Sequence, residues 1–61
     1  MKIERLMYII ITLLSNKYLK ASDVAEMYQV SQRTIYRDID TLSLAGIPIY
    51  SKKGNEGGFY I

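Results

Sequence analysis

The sequence contains no cysteine and no histidine among its 61 residues. Without cysteine, neither a disulfide nor a thiolate metal site can form. Without histidine, the commonest general base and the commonest protein metal ligand are both absent. The acidic residues form no convergent pair in a plausible cleft, so no catalytic mechanism can be assigned. We therefore expect a protein that is not an enzyme and that needs no cofactor.

Signals for secretion and for membrane insertion are also weak. A charged start and the apolar residues 6–14 resemble a signal peptide, but Glu4 and the lack of a small-residue cleavage site argue against one. The apolar run is about half as long as a membrane-spanning helix requires. We expect no membrane association and a cytoplasmic location.

The length and the residue balance suit one small folded domain, residues 1–61. Leu, Ile, Val and Phe make up 18 of the 61 residues, well above the roughly 20% below which disorder is favoured. Eight basic residues against six acidic ones give a formal net charge of +2. This net charge permits a nucleic-acid partner without requiring one. The positions of the charged residues along the chain are therefore better evidence for or against nucleic-acid binding.

Apolar residues three and four positions apart predict a first amphipathic helix over residues 2–15. Tyr8, Ile9 and Ile11 fall at the edge of its buried stripe or outside it. They are either partly buried or form a second apolar face, which a homodimer or a further domain would cover. The predicted buried stripe consists of Ile3, Leu6, Met7, Ile10, Leu13 and Leu14.

A second helix is predicted over residues 21–28, after a short extended connection. Ser22 or a neighbouring residue is expected to cap it, and Asp23 suits the positive start of a helix. The residues expected to face inward are Val24, Ala25 and either Met27 or Tyr28.

A tight turn at Gln29 and Val30 leads into a third helix. Ser31 is a good N-cap for this helix, because a serine hydroxyl can accept a bond from a free amide of the first turn. The helix is expected to run to about Ala45, with Gly46 as a left-handed terminator. Its buried stripe is predicted to be Ile35, Ile39 and Leu42.

The rest of the chain has the pattern of a β-hairpin. Residues 47–50 alternate as a half-buried strand does, residues 52–58 form a polar glycine-rich turn, and residues 59–61 return. An isolated β-hairpin is only marginally stable in water, so this one is expected to pack against the helices. The residues expected to do so are Ile47, Ile49, Phe59 and Ile61. The order of elements predicts a mainly α fold with a small β-hairpin, a three-helix winged helix-turn-helix.

The third helix carries basic and polar side chains on its far side. With Ile35 inward, the 100° step of a helix places Arg33 and Arg37 about 160° and 200° away. A helix fits the DNA major groove, where arginine and glutamine can read base edges bidentately. The alternative is a solvated face, but like charges four positions apart repel each other slightly, which a purely structural surface has no reason to choose. The candidate DNA-contacting residues are Ser31, Gln32, Arg33, Thr34, Tyr36 and Arg37.

Three further charged residues complete the prediction. Lys52 and Lys53 begin the wing loop and are candidates for phosphate contacts that release counterions. The alternative for these lysines is an ordinary solvated turn. Asp38 lies away from the arginines of the third helix, so we expect it to bond within the protein.

Residues 30–42, VSQRTIYRDIDTL, resemble the segment VSxRTIxRDIxxL of bacterial type 11 helix-turn-helix domains. Residues 46–49 and 54–61 resemble the GxPI…G…GGYxL wing of the same group, which is typical of WYL-domain regulators and similar in DeoR-type ones. The resemblance implies a winged helix, sequence-specific operator binding and a separate effector domain. The family often has glycine in the turn, where Gln29 requires a left-handed backbone. By position the resemblance points to Ser31, Arg33, Thr34, Tyr36 and Arg37 as DNA-facing residues.

The sequence therefore predicts a DNA-binding domain of a bacterial transcription regulator, the N-terminal head of a longer chain. Its recognition helix, residues 31–45, would lie in the major groove, and its wing, residues 50–60, would lie on the backbone. Double-stranded DNA is the expected partner. A homodimer is a further expectation, formed through the first helix or through a missing C-terminal domain. The alternative function is a winged helix that contacts another protein.

Overall fold

The computed structural model describes residues 2–15, 17–52 and 58–61. Its helices and strands are α1 (Lys2–Leu14), α2 (Ala21–Tyr28), α3 (Gln32–Leu44), β1 (Tyr50–Lys52) and β2 (Gly58–Tyr60). This order confirms the predicted winged helix-turn-helix, a mainly helical fold with one hairpin. None of the helices in the described ranges is long and apolar enough to cross a membrane.

The turn between α2 and α3 is made by a residue in the left-handed region. Gln29 has φ 55° and ψ 47°, as predicted for this position. The Val30 N–H donates to the Ala25 carbonyl at 2.9 Å, and the Gln29 N–H donates to the Glu26 carbonyl at 3.3 Å. This pair of bonds satisfies carbonyls that the end of a helix leaves free, and it directs the chain into α3.

The end of α3 uses the same pair of bonds, in this case with the predicted glycine. Gly46 has φ 101°, a conformation that costs a glycine little. The Ile47 N–H donates to the Leu42 carbonyl at 3.2 Å, and the Gly46 N–H donates to the Ser43 carbonyl at 3.1 Å. The chain therefore leaves α3 in a fixed direction, with Ile47 turned back onto the core.

The hydrophobic core lies where the three helices meet. The predicted inward residues of α3 are buried, namely Ile35, Ile39 and Leu42. The same is true of Val24 and Ala25 on α2. Burial of apolar area of this kind supplies most of the stabilisation of a small domain. The buried apolar residues are Ile9, Leu13, Leu19, Ala21, Val24, Ala25, Ile35, Ile39 and Leu42.

The rotation predicted for α1 is wrong, although three of its six predicted inward residues do reach the core. Leu13 is buried, and Leu6 and Ile10 are half-buried against it. Ile9, which was expected at the edge of the buried stripe, is fully buried together with Leu13. Apolar residues lie on nearly every side of α1, so their period alone does not fix its rotation. Arg5 lies one turn before Ile9 on the same line and pairs with Asp38, which does fix it. The predicted inward residues that are exposed instead are Ile3, Met7 and Leu14.

A second apolar face is therefore present on α1, but with different members from those predicted. Of the three residues expected there, Ile11 is exposed, whereas Ile9 is in the core. Tyr8 is half-buried, with its ring edge-on to that of Tyr28 at 6.0 Å between centroids. We call the exposed set the α1 apolar face, and it comprises Ile3, Met7, Ile11 and Leu14.

The hairpin is antiparallel and pairs Tyr50 with Tyr60 and Lys52 with Gly58. The predicted start of its first strand, at residue 47, is wrong, because β1 begins at Tyr50. Pro48 has no amide hydrogen, and the neighbouring Ile49 N–H donates to the Ile47 carbonyl at 2.9 Å. Residues 47–49 thus form a local turn, although both isoleucines still pack on the core as expected.

Three smaller predictions also differ from the structure. Ser22 lies inside the first turn of α2, whose N-cap position is Lys20 without a side-chain cap. Met27 is exposed, so Tyr28 is the residue that packs against the core at this end of α2. Ile61 is exposed as well, which leaves Phe59 as the packing residue of the second strand.

Candidate nucleic-acid interface

The start of α3 is held by its own hydroxyl groups. The Ser31 Oγ accepts a hydrogen bond from the Thr34 N–H at 3.2 Å, which confirms Ser31 as the N-cap. The Ser31 Oγ also lies 3.2 Å from the Thr34 Oγ1, and the two hydroxyls share a hydrogen bond. Thr34 is half-buried, whereas Ser31 is exposed. Both predicted site residues thus shape the helix start and leave the other first-turn amides available to an anion.

The rotation predicted for α3 is confirmed. Ile35 is fully buried and Ile39 is nearly so, which turns the opposite side of the helix toward solvent. In the described part of the chain, neither Arg33 nor Arg37 has a hydrogen-bond or ion-pair partner on its side chain. The solvent-facing set, which we call the α3 outer face, comprises Gln32, Arg33, Tyr36 and Arg37.

An ion pair fixes the inner side of the same helix. Asp38 is 2% exposed, and both of its oxygens accept hydrogen bonds from the Arg5 guanidinium of α1. The second of these bonds, from Nη2 to Oδ1, measures 3.1 Å. The hydrogen bond with Asp38 raises the pKa of Arg5, against the opposing effect of burial. The prediction that Asp38 bonds within the protein is confirmed, and the pair locks α3 against α1.

Sequence reasoning missed Arg5 as the partner of Asp38. The available signal was the line of Arg5, Ile9 and Leu13, spaced four apart, since a charged residue in line with buried ones needs a partner. A bidentate arginine–carboxylate pair is also directional, so it constrains the angle between two helices as well as their distance.

The wing lies beside α3 and is tied to the segment that precedes α2. The Leu19 N–H donates to the Phe59 carbonyl at 2.9 Å, and the Phe59 N–H donates to the Leu19 carbonyl at 2.7 Å. A Cβ atom at Gly58 would lie 2.6 Å from the Leu19 carbonyl oxygen and 2.8 Å from the Tyr18 ring, so this close approach requires glycine. The hairpin is therefore anchored by a third segment and does not stand alone.

The wing presents one of the two predicted lysines at a defined position. Lys52 is exposed at the end of β1. Lys53 lies outside the described residues. On β1 and β2, Tyr50 and Tyr60 pair across the strands with ring centroids 5.7 Å apart. The other side of β2 carries Phe59, whose ring meets Tyr36 of α3 edge-on at 5.9 Å.

These features define the class of the protein. A tight turn between two packed helices, an outward arginine pair on the second of them and an adjacent hairpin make a winged helix-turn-helix, a DNA-binding domain of the kind that transcription regulators carry. The family model described as "HTH domain" matches residues 5–60. The chain belongs to this family.

A relative from Bacillus subtilis (strain 168) supports the assignment. It is described as an uncharacterized HTH-type transcriptional regulator, YobV, and is 49% identical to this chain over 61 residues. The match covers all of this chain and 20% of the relative, so the chain spans about a fifth of the relative's length. No solved structure gives a significant match.

Proposed function

We propose that this chain reads double-stranded DNA by placing α3 in the major groove, as the DNA-binding head of a transcription regulator. The observation that carries the proposal is the rotation of α3. Its isoleucines are buried, and Arg33 and Arg37 project into solvent without a carboxylate partner in the described ranges. Such a pair is slightly repulsive in water and becomes favourable beside phosphates and guanine edges.

The candidate DNA-contacting residues on α3 and on the wing have different proposed roles. Arg33, Arg37 and Gln32 have the exposure and the donor groups that direct base reading requires. Ser31 and Thr34 hold the helix start, whose amides suit a phosphate oxygen. Lys52 and Lys53 would contact the backbone beside the groove, as phosphate contacts that carry no sequence information.

The first test removes one base-reading side chain. A preferred duplex is first selected from a random pool with the wild-type chain. Arg37→Ala should then weaken binding to that duplex by about 1–3 kcal/mol, because a bidentate contact to a base is lost. Arg37→Lys is the matched control: it keeps the charge and loses the planar fork, so it should retain binding to unrelated duplexes while losing base preference. Unchanged affinity of Arg37→Ala for the selected duplex would contradict the proposal.

The second test concerns the wing. Lys52→Ala should weaken binding to all duplexes similarly and lower the slope of log affinity against log salt by about 0.9, the value for one released counterion. Lys52→Arg preserves the charge and should leave that slope unchanged. Titrations at several salt concentrations measure both slopes. Equal slopes for Lys52→Ala and the wild type would assign this end of β1 a purely structural role.

The exposed side of α1 supports a homodimer. Ile3, Met7, Ile10 and Leu14 are spaced four, three and four apart, which is the spacing of a helix–helix seam. All but the half-buried Ile10 are more than half exposed. The same seam on a second copy of α1 is a matching partner, because a twofold interface uses one patch on both subunits. We propose this second copy as the occupant of this seam, which shares Ile3, Met7 and Leu14 with the α1 apolar face.

The dimer is tested by sedimentation over a range of protein concentrations. The wild-type chain should associate reversibly, and Met7→Glu should stay monomeric because it places a charge in the seam. Met27→Glu makes the same change at an exposed methionine of α2 and should dimerise normally. A wild-type chain that is monomeric at all accessible concentrations, or equal association of both variants, would contradict this proposal.

The remaining parts of the proposal concern the protein as a whole. A longer chain with a separate effector domain, of the DeoR or WYL type, would supply the regulatory signal. A cytoplasmic location and the absence of catalysis suit a protein that acts on the bacterial chromosome. The alternative, a winged helix that contacts another protein, is favoured only by the α1 apolar face. Selection of no duplex at all by the wild-type chain would favour that alternative.

A further inference from the structure

We propose that Phe59 of the wing is a positioning residue for DNA reading, which sets the direction of the Tyr36 side chain on α3. This inference rests on the proposed function, since it assigns a role within the same interface. The wing then contributes to base selection through α3, in addition to any contact of its own with the DNA backbone.

Tyr36 is 48% exposed and lies on the α3 outer face, adjacent in sequence to Arg37. The Phe59 ring meets it edge-on, with 5.9 Å between centroids and 69° between planes. This is a favourable aromatic geometry. One part of Tyr36 is thus packed on the wing, while the rest faces the solvent that the DNA would replace.

Phe59 is itself held in place by its neighbours. Its N–H and its carbonyl both bond to Leu19, a core residue that is 2% exposed. The close approach of Gly58 to Tyr18 and Leu19 holds the preceding residue, and β1 pairs with Phe59 through Ser51. The Phe59 ring is half-buried against the core. It is therefore a fixed surface against which a more mobile side chain can settle.

The contact with Phe59 limits the rotational freedom of the Tyr36 side chain. An exposed tyrosine on a helix can occupy more than one staggered rotamer, and ordering it on binding costs affinity. The contact with Phe59 favours one direction before DNA arrives. The hydroxyl and ring edge of Tyr36 are thereby presented to one base step, next to the arginines that read neighbouring bases.

The experiment is a double-mutant cycle on the duplex selected by the wild-type chain. Phe59→Leu should bind that duplex about three- to tenfold more weakly, the equivalent of one lost aromatic pair, and bind unrelated duplexes as the wild type does. In a Tyr36→Ala background the same change should have no further effect, because Phe59 acts through Tyr36. Phe59→Tyr keeps the aromatic edge and should restore wild-type affinity.

The base preference of the variants is a second measurement, which would not change if Phe59 had only a structural role. Repeating the selection with Tyr36→Ala should lose preference at one base pair, and Phe59→Leu should lose it at the same base pair. Tyr60→Leu is the matched control, because Tyr60 is the next residue of β2, contacts Tyr50 and should leave the preference intact. If Phe59→Leu fails to fold, Phe59→Met takes its place with the same expected results.

Two outcomes would overturn the inference while leaving the proposed function in place. One is that the effects of Phe59→Leu and Tyr36→Ala multiply in the double variant, which would mean that they act independently. The other is that Phe59→Leu leaves the selected sequence unchanged. A wild-type chain that selects no duplex would instead contradict the proposed function itself, so the two failures are distinguishable.

Discussion

Asp38→Ala is expected to leave the chain unfolded, or nearly so, at 25 °C. Asp38 is buried and accepts two hydrogen bonds from Arg5, whose side chain is 11% exposed. Removing one partner of a buried pair leaves the other charge uncompensated, at a cost of about 3–5 kcal/mol. A domain of this length has a free energy of unfolding of about 3–9 kcal/mol. The loss is therefore comparable with the whole stability, and urea titration followed by circular dichroism measures it.

The control for this prediction lies two residues further along the same helix. Asp40 is exposed, so Asp40→Ala removes an equal charge and should change the free energy of unfolding by less than about 0.5 kcal/mol. Replacing both partners with apolar residues, Arg5→Met with Asp38→Leu, should recover much of the stability, because no buried charge remains. Equal midpoints for Asp38→Ala and Asp40→Ala would show that the pair does not lock α3 against α1.

Ile39→Asp is expected to have the second large effect and to abolish folding. Ile39 is 5% exposed, in a core that contains nine buried apolar residues in the described part of the chain. The substitution removes a buried aliphatic group, at about 2–5 kcal/mol, and adds a carboxylate with no partner. The sum exceeds the stability that a chain of this size can supply. Loss of the helical circular dichroism signal in water is the expected result.

Ser43→Asp provides the comparison for this second prediction. It introduces the same side chain on the same helix at an exposed position, so the fold should survive with only a small loss near the negative end of α3. A helical, cooperatively melting Ile39→Asp variant would mean that α3 is rotated so that residue 39 faces solvent. The burial of the isoleucines could then no longer be used to infer that the α3 outer face points to solvent.

The rotation of α3 was predictable because its buried aliphatic residues lie on one side and its arginines on the other. Ile35, Ile39 and Leu42 form a single buried stripe, so the arginines must lie on the opposite, solvent-facing side of the helix. The first helix offered no such contrast, since apolar residues surround it, and its predicted rotation was wrong. Its orientation depends on Arg5 meeting Asp38, a contact across 33 positions that no local period contains.

The wing was predictable as a hairpin, but its borders and its anchor were not. Alternation over residues 47–50 suggested a strand, while the missing amide hydrogen of Pro48 and the bond of Ile49 to Ile47 made a turn. The pairing of Leu19 with Phe59 joins segments on either side of two helices. Only packing in three dimensions brings them together. The contact of Phe59 with Tyr36 depends on that pairing, so it could not be predicted either.

The bridge between Leu19 and Phe59 has a consequence for how the domain assembles. It closes a loop of about forty residues, and the entropy lost in closing a loop grows with its length. Local helix formation and docking of α2 on α3 are thus expected to precede it, so that the hairpin docks last and is then held by the bridge between Leu19 and Phe59. Amides of the wing should exchange with deuterium faster than those at the centre of α3. The contact between Tyr36 and Phe59 would therefore be made only in the last step of folding.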